Sequence, residues 1–313
     1  MNNLLVSHGQ GAVVTGTPWE ITPAPPWRFD ALGAAQPGVD SPGTLYWNFS
    51  RPGILGVLNI TPDSFSDGGD YLQPDAALAR AREMAAEGAD LLDLGGASSH
   101  PLAPVVSVAE ELRRVLPVLE LLRTEIPVPI SIDTQHPEVA EACLELGAAL
   151  INDVSGLASP RMARLAARFR VPLVITYNNL TVPKGASGLS FLSDMLAFFD
   201  ERIEEARSEG AERLILDPGY GFGKTLPENL SVLRALPQLR RFACPVLVCT
   251  SRKGSLGRLV NEPVPKERLG ATLASSLFAV TRGAHWVRVH NVKAMRQTLM
   301  TWRALEVDGE TVP

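Results

Sequence analysis

The stretch that decides the fold is Ile54-Leu-Gly-Val-Leu-Asn-Ile-Thr-Pro-Asp-Ser-Phe-Ser-Asp-Gly-Gly69, in which a short apolar run changes abruptly into an asparagine and a polar, glycine-rich loop. The apolar run, residues 54–58, predicts a strand buried on both faces, because strands of parallel sheets carry continuous apolar runs. The loop begins at the carboxyl end of that strand, where parallel α/β barrels place their functional groups. The stretch therefore predicts an α/β fold together with one of its functional loops.

The same pattern recurs along the chain and alternates with amphipathic helical segments. The predicted strands are residues 54–58, 90–94, 128–132, 150–151, 171–175, 213–216, 246–248 and 286–289. The predicted helices are residues 74–87, 108–123, 137–145, 160–170, 189–208, 226–240, 268–282 and 292–307. Eight strands alternating with eight helices predict parallel βαβ units and a single closed (β/α)8 TIM barrel. An open doubly wound sheet is the alternative, but no Gly-x-Gly-x-x-Gly fingerprint follows the first strand.

The beginning of the chain differs from the barrel region. Residues 1–43 are rich in proline and glycine and show no regular period, which predicts a mostly irregular N-terminal extension. One short strand is expected within residues 43–50. Residues 44–313 are predicted to form the barrel domain.

Composition limits the classes of function. The chain is 45% apolar and 20% charged, and no apolar run approaches the roughly 20 residues that span a bilayer. No signal peptide is expected from the first residues. The net charge of −5 gives no reason to bind nucleic acid or an acidic membrane. Cys143, Cys244 and Cys249 lie on apolar segments without metal-site spacing, which predicts reduced core thiols in a cytoplasmic protein.

Polar residues end each predicted strand, and a barrel brings such ends to one mouth. They are Asn59, Asp93, Gly95, Gly96, Asp133, Thr134, Asn152, Asp153, Thr176, Tyr177, Asn178, Asp217, Ser251, Arg252, Lys253, Arg288 and His290. Carboxylates and amides lie on the middle strands and suit the edge of a nitrogen heterocycle. Arginine and histidine at the last strand suit a phosphate, and late-strand loops commonly bind phosphate in barrels.

Each of these residues also has a structural explanation. Asp133 is a candidate cap for the helix that begins at Pro137, and Asn291 is a candidate cap for the last helix. Capping does not explain why Lys253 and Arg288 lie at one rim. His136 and His285 are expected to be structural or surface residues rather than catalytic ones.

Seven motifs in order resemble the signatures of dihydropteroate synthases, and the resemblance as a whole extends from about Leu55 to about Thr298. They are Leu58-Asn-Ile-Thr-Pro-Asp-Ser-Phe-Ser-Asp-Gly-Gly69, Asp90-Leu-Leu-Asp-Leu-Gly-Gly96, Ser131-Ile-Asp-Thr134, Ile151-Asn-Asp-Val-Ser-Gly156, Leu216-Asp-Pro-Gly-Tyr-Gly-Phe-Gly-Lys-Thr225, Thr250-Ser-Arg-Lys253 and Arg288-Val-His-Asn-Val292. The resemblance implies a Mg2+-dependent transferase of folate biosynthesis and a homodimer. The implied reaction joins 6-hydroxymethyl-7,8-dihydropterin diphosphate to 4-aminobenzoate and releases pyrophosphate and 7,8-dihydropteroate.

The resemblance also implies roles for single residues. The implied pterin pocket consists of Asp133, Asn152, Asp217 and Lys253. The implied second-substrate side consists of Phe65, Ser99, His100, Phe222 and Ser251. Arg288 and His290 are expected to hold the pyrophosphate and Asn59 the Mg2+, while Asp63 in the first loop is expected to help bind the amine. A dissociative step would form a cationic pterin methylene that Asp133 and Asp217 stabilise, while Mg2+, Arg288 and His290 neutralise the leaving diphosphate. Lys253 and Arg288 are expected to be positioned cations that activity requires.

The chain departs from the family pattern mainly on the second-substrate side. The second signature reads Gly96-Ala-Ser-Ser-His-Pro-Leu102, with His100 where the family usually has arginine, and Gly254 stands where a serine is usual. After the fifth strand, Thr176–Asn179 stands where the family usually has a Met-His segment. In the last signature, Asn291 stands where the family usually has an aspartate. The second signature looks like that of sulfonamide-insensitive members, whose insertion after the sixth strand is not present here, so altered second-substrate recognition is expected rather than resistance. The alternatives are a pterin-binding paralogue with altered or lost aminobenzoate use, and a pterin-binding module of the methyltransferase type.

Overall fold

The computed structural model describes residues 27–29, 45–47, 51–60, 73–97, 106–181 and 190–306. Before the barrel, strands β1 (Trp27–Phe29) and β2 (Leu45–Trp47) pair antiparallel. The short strand expected within residues 43–50 is confirmed as β2. Its partner β1 was not expected, because the surrounding prolines and glycines hide three residues of extended chain.

Eight parallel strands in the described ranges form one barrel. They are β3 (Gly53–Asn59), β4 (Leu91–Gly95), β5 (Ile130–Asp133), β6 (Leu150–Asp153), β7 (Leu173–Thr176), β8 (Leu214–Asp217), β9 (Leu247–Val248) and β10 (Trp286–Val289). Their order is β8-β7-β6-β5-β4-β3-β10-β9, and a parallel bridge between Leu216 and Val246 joins the two ends. The predicted (β/α)8 barrel is confirmed, and the open doubly wound alternative is excluded by this closure.

Helices surround the barrel. They are α1 (Gln73–Ala86), α2 (Val108–Glu125), α3 (Pro137–Glu145), α4 (Pro160–Phe169), α5 (Phe191–Ser208), α6 (Leu226–Ala235), α7 (Gly254–Val260), α8 (Leu269–Thr281) and α9 (Val292–Glu306). Within the described ranges, no helix is long and apolar enough to cross a membrane.

Local sequence explains where several helices begin. The Ser107 hydroxyl accepts a hydrogen bond from the Glu110 amide and caps α2. The Thr225 hydroxyl accepts from the Glu228 amide, while the Glu228 carboxylate accepts from the Thr225 amide, which makes a capping box at α6. Such caps satisfy amides that have no partner within the helix, and they fix where the loops before α2 and α6 end.

The helix predictions differ from the structure in two places. The helix predicted over residues 226–240 ends at Ala235 and continues as a 3-10 helix, Leu236–Phe242, because Pro237 lacks the amide that an α-helix needs there. The short helix α7 was not predicted, since seven residues containing Gly254 and Gly257 show too little apolar periodicity.

The alternation of side chains along each strand divides the core in two. One set of residues faces the helices and forms the main core. The other set faces the barrel axis and closes its lower part. It consists of Leu55, Leu91, Ala149, Leu150, Val174, Ile215, Leu247 and Trp286. The three cysteines are free and buried, which confirms them as core thiols.

Candidate active site

Polar residues replace the apolar ones one step further along the barrel strands. Successive inward-facing positions of a strand are two residues apart, so Asp93 follows Leu91 and Asp217 follows Ile215 on the same face. The inward residues above the apolar layer are Val57, Asp93, Ser131, Asn152, Thr176, Asp217, Cys249 and Arg288. The barrel is therefore an apolar plug with a polar pocket at its carboxyl-terminal mouth.

A buried network of charges forms the centre of this pocket. Arg288 Nε donates to Asp93 Oδ2 at 2.5 Å, and its Nη2 donates to Asp133 Oδ2 at 2.7 Å. The side-chain Nδ2 of Asn152 donates to the same Asp93 oxygen at 2.9 Å. The Arg288 side chain is 10% exposed and Asp93 is fully buried. The network joins β4, β5, β6 and β10.

The sequence predicted that Arg288 binds a phosphate at the rim of the barrel. In the structure its guanidinium is already paired with two carboxylates. Two carboxylates already neutralise its charge, because β4 and β5 each direct an aspartate toward the barrel axis. These neighbours hold the pKa of Arg288 well above its usual range. Arg288 nevertheless lies at the mouth, where His290 follows it two residues later on the same face.

Burial changes the acidity of the pocket carboxyls. Desolvation raises the pKa of Asp133 to about 7. The positive charges of Arg288 and Lys253 lower this pKa, and the negative charges of Asp93 and Glu111 raise it. Burial also raises the pKa of Asp217, against the Gly219 amide and three nearby cations, Lys253, Lys224 and Arg288. Strongly shifted carboxyls in a cleft are typical of functional sites.

Lys253 lies at the side of the pocket formed by the loop after β8. Its ammonium is 4.2 Å from the centroid of the Phe222 ring. A Cβ at Gly221 would lie 2.8 Å from the Lys253 Cδ, so the loop after β8 packs closely against the lysine stem. The Phe222 ring and the Lys253 ammonium therefore form one surface beside Asp217.

The turn that presents Ser251 and Lys253 is held in an unusual conformation. Arg252 has a φ of 60°, in the left-handed region. The Thr272 hydroxyl accepts from the Arg252 amide at 3.1 Å, and Arg268 Nη1 donates to the Arg252 carbonyl at 2.8 Å. Strained residues of this kind persist where the surrounding structure holds them, often at functional sites.

His290 is a neutral hydrogen-bonding group. Burial lowers its pKa to about 3, helped by the positive charges of Arg252, Arg288, Lys253 and Arg80. The Ser251 hydroxyl oxygen accepts from the His290 amide at 3.2 Å and lies 2.8 Å from its Nδ1. In the tautomer in which Nδ1 accepts the hydroxyl proton, Nε2 is an N–H donor that can face an anion.

Asn59 ends β3 beside the charge network. A Cβ at Gly95 would lie 3.3 Å from Asn59 Oδ1 and 3.7 Å from Asp133 Oδ2, so glycine leaves room for both side chains at the mouth. Within the described ranges, no three His, Cys, Asp or Glu side chains gather as a metal-binding group. An amide oxygen at a substrate pocket fits a Mg2+ ion that is held mainly by substrate phosphate and water.

Four predicted site residues, Asp63, Phe65, Ser99 and His100, lie outside the described residues. The others converge on the mouth, and the structure decides between capping and pocket roles. Asn291 Oδ1 accepts from the Ala294 amide at 2.9 Å, so Asn291 caps α9. Asp133 does not cap α3, whose N-cap is His136 without a side-chain hydrogen bond.

Both histidines expected to be structural lie outside the pocket network. His136 Nδ1 is 2.7 Å from the buried Glu111 carboxylate. His285 Nδ1 accepts from the Val246 amide at 3.0 Å, and burial lowers its pKa to about 3.

From the sequence, Asp93 was placed among the strand-end residues without a substrate role, and Lys224 was not singled out. Asp93 has a sequence signal, since it lies two residues after Leu91 on the inward face of a strand. One of its oxygens, Oδ1, has no hydrogen-bond partner among the described residues. Lys224 has no such signal, because a lysine in a glycine-rich loop is typical of a solvated surface; in the structure it is 6% exposed.

Comparisons with known proteins agree on one family. The family model described as pterin binding enzyme matches residues 55–290. A dihydropteroate synthase from Synechocystis is 41% identical over 260 residues, 81% of this chain and 90% of that protein. One from Bacillus subtilis is 42% identical, over 77% of this chain and 84% of that protein.

Solved structures agree as well. A Xanthomonas albilineans dihydropteroate synthase with 4-aminobenzoic acid is 40% identical, has a TM-score of 0.80, and is matched over 92% of this chain and 100% of that one. A Thermus thermophilus dihydropteroate synthase in complex with 6HMPPP is 44% identical with a TM-score of 0.73, over 83% of this chain and 97% of that one. From the matched family model and from relatives near 40% identity along most of its length, the chain belongs to the dihydropteroate synthase family of pterin-binding enzymes.

Proposed function

We propose that the chain condenses 6-hydroxymethyl-7,8-dihydropterin diphosphate with 4-aminobenzoate, releasing pyrophosphate and 7,8-dihydropteroate. The observation that carries this proposal is the buried set of Asp93, Asp133, Asn152 and Asp217 at the mouth of a barrel with this family's sequence. Buried carboxylates and an amide present hydrogen-bond partners for the edge of a pterin ring. The methyltransferase-type alternative has no comparable use for the cations around Ser251 and His290.

The carboxylates bind the ring and stabilise the positive charge that develops on it. As the carbon–oxygen bond to the diphosphate breaks, its electron pair leaves with the phosphate oxygen and the methylene carbon becomes electron-poor. Asp133 and Asp217 favour this state because preorganised charges act strongly where water is excluded. The amine of 4-aminobenzoate then attacks the carbon and loses a proton.

The leaving diphosphate binds among the groups around His290. The neutral histidine offers its Nε2–H, while Lys253 and Arg252 supply positive charge nearby. Departure of the diphosphate is favoured when its developing charge meets fixed donors. A Mg2+ ion held by Asn59 and the substrate would neutralise part of the same charge.

The second substrate is placed on the side of Phe222 and Lys253. The aromatic ring offers a face for the benzoate ring, and Lys253 offers a cation for its carboxylate. Ser251 lines the same side, with its hydroxyl proton directed to His290 Nδ1. The loops that carry Asp63, Phe65, Ser99 and His100 are assigned to this side by the family resemblance. Their closure would exclude water, which otherwise competes with the amine.

We propose a homodimer in the cytoplasm. Leu269 and Phe278 on α8 and Met300 on α9 are at least one-third exposed, which is consistent with a partner copy covering these helices. Three free, buried cysteines are consistent with a reducing compartment.

One assay tests the proposed function. Purified protein is given the pterin diphosphate and Mg2+, with and without 4-aminobenzoate, while pyrophosphate and dihydropteroate are measured. Formation of dihydropteroate supports the synthase. Pterin binding without product would identify the paralogue, and binding of methyltetrahydrofolate instead of the diphosphate would identify the methyltransferase-type module.

We expect activity to fall when the pH is lowered from about 8 to about 6, since protonation of Asp133, with its pKa near 7, removes a charge that stabilises the pterin cation. His290 does not titrate in this range. The measurement is kcat/KM for the pterin diphosphate against pH, in the wild type and in Asp133→Asn. The variant is expected to be slow with a flatter acidic limb; an unchanged limb in this variant would assign the titration to another group.

We expect Gly254→Ser to lower the KM for 4-aminobenzoate about threefold to tenfold, the effect of one added hydrogen bond to a carboxylate. A Cβ at Gly254 meets nothing within 4 Å, so the serine fits without displacing a neighbour. The KM for the pterin diphosphate should stay constant. Gly270→Ser on α8, where a Cβ also meets nothing, is the matched control. An equal effect of both substitutions would contradict a local role.

A further inference from the structure

Lys224 is a buried cation outside the set of groups used above. Its side chain enters the space between the loops that follow β7 and β8. Its ammonium donates to the Tyr177 carbonyl at 2.7 Å and to the Phe222 carbonyl at 3.3 Å. It also lies 4.6 Å from the centroid of the Tyr177 ring. Burying a lysine costs free energy unless such partners compensate, so its position here calls for a specific explanation.

The loop after β8 is folded closely around this ammonium. A Cβ at Gly219 would lie 2.0 Å from the Tyr177 carbonyl oxygen and 3.0 Å from Lys224 Nζ, and Gly219 has a φ of 68°. Only glycine fits there. Asn229 holds the loop from the other side, since its Oδ1 accepts from the Gly221 amide at 2.6 Å and its Nδ2 donates to the Lys224 carbonyl at 3.1 Å.

The same loop carries two groups that face the pocket. Asp217 begins it, and Asp217 Oδ1 accepts from the Gly219 amide at 2.7 Å. Phe222 precedes Lys224 by two residues, and the Phe222 ring lies beneath the ammonium of Lys253. The Lys224 hydrogen bond to the Phe222 carbonyl therefore fixes the residue whose ring faces the second substrate.

Charge connects Lys224 to Asp217 as well. Asp217 faces three cations, Lys253, Lys224 and Arg288, each of which lowers its pKa against the effect of burial. Two of the three have other partners in the pocket: Arg288 pairs with Asp93 and Asp133, and Lys253 lies over Phe222. Lys224 is the cation of the three that belongs to the same loop as Asp217.

We propose that Lys224 is a positioning residue of this enzyme, whose ammonium holds the loop after β8 so that Asp217 stays ionised toward the pterin and the Phe222 ring stays beneath Lys253. This inference rests on the proposed function, because it assigns Asp217 to the pterin. Lys224 itself touches neither substrate.

The test measures binding of 6-hydroxymethyl-7,8-dihydropterin, which has no diphosphate to titrate, at a series of pH values. In Lys224→Met, which keeps the stem and removes the charge, we expect the acidic limb of binding to move up by about one pH unit. Without Lys224 the pKa of Asp217 rises, so the carboxylate is lost at a higher pH. At a given pH on the acidic limb, the Kd of the variant for the dihydropterin should be about tenfold higher than that of the wild type. Its KM for 4-aminobenzoate should also be higher.

Lys293→Met, at an exposed lysine on α9, is the matched control and should bind as the wild type does. A superimposable pH dependence in Lys224→Met would overturn the inference while leaving the proposed function intact. Failure of the wild type to bind the dihydropterin would overturn both. If Lys224→Met does not fold, Lys224→Gln, which retains an N–H donor for the two carbonyls, carries the same test of charge.

Discussion

Arg288→Ala is expected to lower kcat/KM by about 10³-fold and to destabilise the fold by about 3–5 kcal/mol at neutral pH. The substitution leaves Asp93 and Asp133 buried without their counter-ion, and Asp93 is fully buried. Breaking a buried ion pair by removing one partner costs more than the pair contributes, because an uncompensated charge remains. The loss of stability should shrink at about pH 5, since Asp133, whose pKa is raised to about 7, is then protonated and needs no counter-ion.

Denaturant unfolding at two pH values and initial rates measure these effects. The matched control is Arg164→Ala, whose partner Glu209 lies at 2.9 Å on the surface and whose side chain is 54% exposed. That variant should lose at most about 1 kcal/mol and keep its activity, because exposed ion pairs contribute little. Full turnover by Arg288→Ala would remove the charge network from the mechanism.

Lys253→Met is expected to lower kcat/KM by about 10²- to 10³-fold, the loss typical of removing one positioned charge. The methionine keeps the stem that packs against Gly221 and removes only the ammonium over Phe222. Stability should change by less than about 1 kcal/mol, since a partly exposed cation–π contact contributes little. The effect should therefore appear in the rate and not in the unfolding midpoint.

Steady-state kinetics with each substrate varied in turn, together with thermal unfolding, check this expectation. Lys266→Met, at an exposed lysine of the 3-10 helix Pro265–Glu267, is the control for loss of a positive charge. Equal losses of activity in the two variants would point to net charge rather than to the position of Lys253. A large fall in stability of Lys253→Met would make its role structural.

The two variants separate two uses of charge in one pocket. Arg288 is surrounded by carboxylates, and its removal is expected to affect both the fold and the reaction. Lys253 lies at the margin, over an aromatic ring, and its removal is expected to affect the reaction alone. The difference follows from burial, because the interaction between charges strengthens as water is removed from around them.

The fold was predictable because its signals are local. Each barrel strand is a short apolar run, and each intervening helix has its own periodicity, cap or proline. The exceptions are places where the local signal is weak, as in α7 with its two glycines, or where Pro237 changes an α-helix into a 3-10 helix. The predicted boundary between extension and barrel domain at residue 43 stays a prediction.

The residues of the pocket were largely predictable for the same reason, since a polar residue at the carboxyl end of a buried strand is visible in the sequence. Asn152, Asp217 and Lys253 were found in this way, and all lie at the mouth. Asp93 stands in the same alternation and was predicted to lie at the mouth, but its pairing with Arg288 was not, because that contact joins strands far apart in the sequence. Lys224 was not predictable, since its burial depends on the fit between two loops.

The sequence by itself determined the strand and helix order, the position of polar residues at strand ends and the family, because these depend on neighbours along the chain. Only the tertiary structure decided which of those residues touch. Arg288 and Asp93 are 195 residues apart and meet because β10 pairs with β3 and β3 with β4. The pairing buries the charges, and burial sets the high pKa of Asp133 and the neutrality of His290. The physical reason is that desolvation and Coulomb energy depend on distances across the closed barrel, which no local pattern records.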